Sequence, residues 1–125
     1  SNNGLEGIAV ETGFLAVNNS DIVGNEVGID ATMGRITLEE AYIVDNRGAG
    51  VIGSLHTSIV ANGPVTIERN GKHGVKLMFD SGLLTSGEVS INDNHGADVA
   101  CRDRESSARF EGWHPGRVWC SDFRW

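Results

Sequence analysis

Long apolar runs are missing from this 125-residue chain. Nothing in it approaches the roughly 18 consecutive apolar residues that a helix needs to cross a bilayer, so no helical span is expected. Basic residues are scarce: ten Lys and Arg stand against seventeen Asp and Glu, a formal charge of −7. That balance argues against nucleic acid, whose phosphates require concentrated Lys and Arg, and against anionic membrane surfaces. The start, "SNNGLEG", has neither the basic nor the apolar region of an export leader. The chain is expected to be cytosolic or a piece of a longer precursor, and the second is favoured because Asn3 already belongs to the repeat described below. Aromatics are few, and proline occurs only twice. There is no CxxC, no H-x-x-x-H, no Ser-His-Asp order and no phosphate-cradling loop. No cofactor and no metal are therefore expected. The nearest approach to a ligand set, His73 and His95 with Asp93, lacks a ligand spacing.

What the chain does have is glycine, 17 of them, and a repeat. "IVGN", "IVDN", "IERN" and "INDN" place Ile22, Ile43, Ile67 and Ile91 three residues before Asn25, Asn46, Asn70 and Asn94. With Asn3, the asparagines are spaced 22, 21, 24 and 24 residues apart. Soon after each comes a glycine and a small apolar residue: Gly7-Ile8, Gly28-Ile29, Gly50-Val51, Gly74-Val75 and Gly96-Ala97. The segments that follow alternate with period two, as in Ile29/Ala31/Met33 and Val75/Leu77/Phe79, which marks strands with one buried face. A weaker third strand aligns Leu15-Ala-Val17, Ile36-Thr-Leu38, Thr57-Ser-Ile59 and Ser81-Gly-Leu83. Three strands in each unit of about 22 residues describe one coil of a solenoid.

If coils stack at the strand spacing of about 4.8 Å, equivalent residues form columns. The isoleucines fill the core. The asparagines Asn25, Asn46, Asn70 and Asn94 form a ladder of side-chain amides, at a bend whose left-handed backbone Asn tolerates. On coil length, the Asn bend and the three-strand rhythm, residues 1–111 resemble the right-handed parallel β-helix, pectate-lyase-like family. The expected fold is all-β: a right-handed parallel β-helix of about five coils. A leucine-rich repeat fits "VTIERN" but needs a leucine-rich return segment that is absent, and no hexapeptide rhythm of a left-handed β-helix appears. The resemblance implies little about activity, since the family includes lyases, hydrolases, tailspikes and adhesins.

A solenoid exposes apolar surface and strand edges at its ends. After Glu111 the pattern gives way to a tail, 112–125, rich in Trp113, Trp119, Phe123 and Trp125, which is expected to be a cap. Cys101, on the inward parity, and Cys120 can form one disulfide that staples this tail. Two free buried thiols are the alternative. A bridge would point to an extracellular or periplasmic location.

Columns also decide which side chains could cooperate. Asp45, Arg69 and Asp93 precede successive ladder asparagines and form an expected Asp–Arg–Asp stack, the best catalytic candidates on the chain. Lys76 and Asp98 are expected side by side on an outward face, and with Trp113 and Trp119 they are the candidate ligand-binding residues for a polysaccharide. The strand where pectate lyases carry calcium-binding carboxylates shows only Ala16, Thr37, Ser58 and Gly82. "CRDRESSARFEG", with Arg102, Asp103, Arg104 and Glu105, departs from the coil length and is the most polar loop. The expected role is a non-catalytic stalk or glycan-binding surface of an extracellular bacterial protein. The alternatives are a polysaccharide lyase or glycoside hydrolase of this fold and an end-to-end self-assembling module.

Overall fold

A computed structural model describes residues 6–111, 116–120 and 122–124. Asn3, Trp113 and Trp125 lie outside the described residues. Among the described residues every regular element is a strand, and the strands pair in parallel, coil upon coil. They make a β-solenoid of about four turns.

The first two coils have two strands each: β1 (Glu6–Val10) and β2 (Gly13–Val23), then β3 (Val27–Thr32) and β4 (Gly34–Val44). β2 and β4 each turn a corner, at Asn19 and Glu40, where φ is 49° and 50°. The next coils break at that corner into separate strands. These are β5 (Val51–Ser54), β6 (Ser58–Asn62) and β7 (Val65–Glu68), followed by β8 (Val75–Met78), β9 (Gly82–Ser86) and β10 (Val89–Asn92). β11 (Val99–Cys101) and β12 (Ser107–Glu111) begin the last coil. β13 (Val118–Trp119) and β14 (Asp122–Arg124) pair in parallel with β11 and β12, so the strands of the tail continue both stacks.

Sheet A runs β1-β3-β5-β8-β11-β13. Sheet B covers the other two sides: β4 pairs with β2 along its whole length, with β6 before the corner and with β7 after it.

The columns are those of the repeat. Ile22, Ile43, Ile67 and Ile91 stand in register, as do Ser20, Ala41, Val65 and Val89. Ile29, Val51, Val75 and Val99 line the inner face of sheet A. These isoleucines and valines are buried, and each contributes about 1.5–3 kcal/mol of transfer free energy. Two expected alignments shift by two residues. Val99, not Ala97, continues the Val75 column. Ile59 pairs with Ile36 and Leu83 with Ile59, which continues the column of Leu15, so Ser58 and Gly82 continue that of Phe14 and Arg35, and the outward column on that side reads Ala16, Thr37, Val60, Leu84, Arg109.

The asparagines form a continuous buried ladder. The backbone N–H and side-chain Nδ2 of Asn46 both donate to Asn70 Oδ1, at 3.1 and 2.9 Å. Asn70 repeats this to Asn94 at the same distances, and Asn25 does so to Asn46 at 3.0 and 3.3 Å. The Nδ2 of Asn46, Asn70 and Asn94 also bonds back to the carbonyl of Ile22, Ile43 and Ile67 one coil behind, each at 3.1 Å, while that of Asn25 bonds to Val23 O at 3.4 Å. No ladder amide is orphaned, which a buried amide requires. The left-handed residue of each bend is the one before the asparagine rather than the asparagine itself: Gly24, Asp45, Arg69 and Asp93, with φ of 77°, 55°, 54° and 54°.

A second, shorter ladder lies at another bend. The backbone N–H of Thr57 donates to Ser81 Oγ and that of Ser81 to Ser106 Oγ, both at 3.1 Å. All three hydroxyl residues are buried, and Gly34 N donates to Thr57 Oγ1 at 3.4 Å.

Candidate functional site

The outward residues of sheet A follow from the same pleat that buries its valines. Asp30, Ile52, Lys76, Ala100 and Trp119 form one column, each paired with the next. Lys76 and Trp119 are two strand spacings apart, roughly 9.6 Å. Trp119 is 56% exposed. The His73 ring meets it edge-on, with centroids 5.5 Å apart and planes at 75°, an arrangement that aromatic quadrupoles favour.

Beside this column runs a groove of about 460 Å³, lined by the charged Glu26, Arg47, Lys72, Lys76 and Arg102, by His73, and by the apolar Val27, Ala49 and Ile52. The bends before β3, β5 and β8 supply one wall. Arg102 comes from the polar loop that breaks the coil length. The neighbouring Asp103 has a structural task there: it accepts hydrogen bonds from Phe79 N and Ser106 N, and these, with the Phe79 bond foremost, lower its pKa.

His73 is held at the groove by the register of the last coil. Its Nδ1 accepts a hydrogen bond from Ala97 N at 2.9 Å. The proton of the neutral ring is therefore on Nε2. Burial lowers the His73 pKa, and the charges of Lys76, Arg102 and Arg117 push it the same way; the Ala97 N–H, which protonation of Nδ1 would displace, also favours the neutral ring. His95 is not the counterpart of His73 in the next coil. Its backbone N–H bonds to Asn70 O, the place that Gly71 takes one coil earlier toward Asn46 O.

The expected Lys76–Asp98 pair is not formed. Lys76 pairs with Ala100, and Asp98 is 3% exposed. Asp98 instead ends the asparagine ladder: its Oδ1 accepts from Asn94 N and Nδ2 at 3.2 and 3.0 Å, and its Oδ2 from Arg117 N at 2.7 Å. It occupies the position of Gly50 and Gly74, since Gly74 N and Val75 N donate to Ala97 O and Asp98 O. At Gly74 a Cβ would lie 2.6 Å from both Asn94 Nδ2 and Asp98 O, so the next amide and the next strand together exclude any side chain. Beyond Asn94 no such amide follows, and a carboxylate takes its place. The Arg117 guanidinium adds bonds to the carbonyls of Asn94, His95 and Gly96. Cys101 and Cys120 form the disulfide that fastens the same segment.

Of the catalytic candidates, Asp45 and Arg69 are brought together. Arg69 Nε and Nη2 meet the two carboxylate oxygens of Asp45 at 3.1 and 3.4 Å, and Nη1 reaches Glu68 at 3.3 Å. The hydrogen bond and charge of Asp45 raise the Arg69 pKa, with a smaller contribution from Asp93. All three side chains of the stack are exposed, and an open ion pair of this kind is a weakly stabilising surface feature. A shallow depression of about 330 Å³ over Gly82, Leu84 and Ser107 has Arg109 as its charged group, and Arg109 is paired with Glu111 at 3.3 Å.

The period-two reading put Met33 and Phe79 on the buried face with Ile29 and Val75, and the structure turns them outward because the chain bends there. Met33, Leu55 and Phe79 follow the paired residues Thr32, Ser54 and Met78, so they stand one above another at the corner leaving sheet A. They are 53%, 42% and 59% exposed, with φ of 53°, 54° and 55°, an unusual backbone for bulky residues. Beside them His56 Nδ1 contacts Asp80 Oδ2 at 3.0 Å.

No family model, curated protein or solved structure matches this chain.

Proposed function

We propose that the chain is a non-catalytic glycan-binding module, a rigid solenoid that presents sheet A to a polysaccharide outside the cytoplasm. The observation that carries this reading is the outward column of Lys76, Ala100 and Trp119 beside the groove. An exposed indole face stacks on the apolar face of a sugar, and the donors around it can bond hydroxyls at about the spacing of a disaccharide. Ala100 between them is itself covered, so the accessible members of the column are Lys76 and Trp119. A backbone held by two ladders and a stacked core changes little on binding, which favours affinity through preorganisation.

The disulfide is consistent with an oxidising compartment, and it is the ground on which we place the chain outside the cell or in the periplasm. We place the chain with the right-handed, pectate-lyase-like β-helices on its coil length, its asparagine bend and its three-sided coil. A catalytic role for Asp45, Arg69 and Asp93 is disfavoured because Arg69 already occupies both oxygens of Asp45.

Glycan-array binding by the folded chain tests the reading. Saturable signals, no released reducing ends or unsaturated products, and a loss of about tenfold or more in Trp119→Ala, in keeping with a stacking contact of 1–3 kcal/mol, are the expected results. Product release, or a Trp119→Ala protein that binds as well as the parent, would refute it.

A further inference from the structure

We infer that the groove on sheet A is an anion site, which takes the carboxylate or sulfate ester of an acidic glycan. This inference rests on the glycan-binding reading and names the substituent that the groove selects.

The distribution of charge is the first argument. On a chain with ten basic and seventeen acidic residues, a surface patch taken at random is net acidic. This groove gathers Arg47, Lys72, Lys76 and Arg102, with Glu26 as its carboxylate. Arg47 is braced by a bond from Nη1 to Gly24 O at 3.1 Å. Among the described residues Lys72, Lys76 and Arg102 make no ion pair. Like charges collected in a partly enclosed space repel one another, and an anion between them relieves that repulsion.

The local field is the second argument. The positive charges of Lys76, Arg102 and Arg117 all act on His73, so the excess is felt inside the groove and not only at its rim. Neutral His73, with its proton on Nε2, adds an uncharged donor suited to an anionic oxygen.

The lining selects the carrier of that anion. Val27, Ala49 and Ile52 interrupt the charges, and Trp119 stands in the same column as Ile52 and Lys76. A sugar presents both an apolar ring face and a charged substituent. An extended polyphosphate would have to pass over the acidic remainder of the surface.

Calorimetric titration of the whole chain with three oligosaccharides of one backbone tests this. One is neutral, one carboxylated and one sulfated. At least one charged form is expected to bind about tenfold or more tightly than the neutral form, with affinity falling as salt rises. Which of the two binds identifies the substituent. Lys76→Glu and Arg102→Gln should each remove most of that preference at unchanged circular dichroism. If Lys76→Glu fails to fold, the salt dependence of the unaltered protein still decides. Equal affinity for neutral and charged forms, independent of salt, would overturn the anion site and leave the glycan-binding reading intact. Binding of none of the three overturns both. A single-stranded oligonucleotide of matched charge that displaces the glycan overturns the assignment of ligand class.

Discussion

Asp98 Oδ1 lies 3.0 Å from Asn94 Nδ2 and does for Asn94 what Asn94 does for Asn70. The ladder ends in a charged acceptor on a residue that breaks the glycine column. Removing that acceptor by Asp98→Ala takes the partner of the buried Asn94 N–H, leaves Asn94 Nδ2 with the carbonyls of Ile67 and Asn92, and frees Arg117 N. The expected loss is on the order of 2–3 kcal/mol. Asp98→Asn keeps Oδ1 and should cost clearly less. Urea denaturation of the three proteins checks the order, and an Asp98→Ala protein as stable as the parent would show that the terminus of the ladder is energetically idle.

Thr85 is a polar residue in a core column, between Ala61 and Phe110. Its Oγ1 is buried and has no hydrogen-bond partner among the described residues. Thr85→Val keeps the shape and removes the desolvated hydroxyl, so it should raise stability by about 1 kcal/mol. A rise in the midpoint of chemical denaturation at constant slope is the signature; a fall would mean that the hydroxyl has a partner.

The disulfide closes a segment of sequence separation 19. On the chain-entropy model a loop of that size contributes about 3 kcal/mol. Cys101→Ser/Cys120→Ser should lose about that amount, and reductant should lower the stability of the parent but not of the double variant. Trp119 fluorescence follows detachment of the tail, provided that Trp113 and Trp125 are replaced by Phe.

His73 gives stability a pH dependence of definite sign. Its folded-state pKa lies below the ordinary 6.5, so the unfolded chain binds the proton more readily. The contribution of neutral His73 is fully present above about 6.5 and is lost as pH falls through the lowered value. Lys76, Arg102 and Arg117 oppose protonation there, while the Ala97 N–H, donated to Nδ1, must find another acceptor once the ring is charged. Denaturation series at neutral and mildly acidic pH should show a smaller acid loss in His73→Gln than in the parent. Equal slopes would remove His73 from the account.

Much of the scaffold could be read from spacing alone, because a column repeats one residue type for one reason. Ile22 to Ile91 and Asn25 to Asn94 meet the same neighbours in every coil, so both types recur. The errors arose where that sameness stops. Gly96-Ala97 imitates the Gly-apolar pair that follows each asparagine, but Asp98-Val99 is the pair in register, because a coil without a following amide has room for a side chain. That slip of two residues set Lys76 against Asp98 and hid the buried role of the carboxylate. The Thr57–Ser81–Ser106 ladder was invisible because hydroxyl residues are common and two types share the work. The basic groove was hidden because its members, from Arg47 to Arg102, come from three different coils and share no motif. Only the register of sheet A brings Lys76 and Trp119 onto one face.

An asparagine both gives and receives, whereas an aspartate only receives. The buried amides between Asn25 and Asp98 therefore all point the same way, and the row has a direction as well as a length. Duplication of a 24-residue unit around Asn70 would insert one more identical link and leave every neighbour satisfied. The same unit added beyond Asp98 would meet an oxygen where it needs a donor and a Cβ where it needs a gap. Evolution can lengthen this cylinder from within, while the carboxylate serves as its full stop.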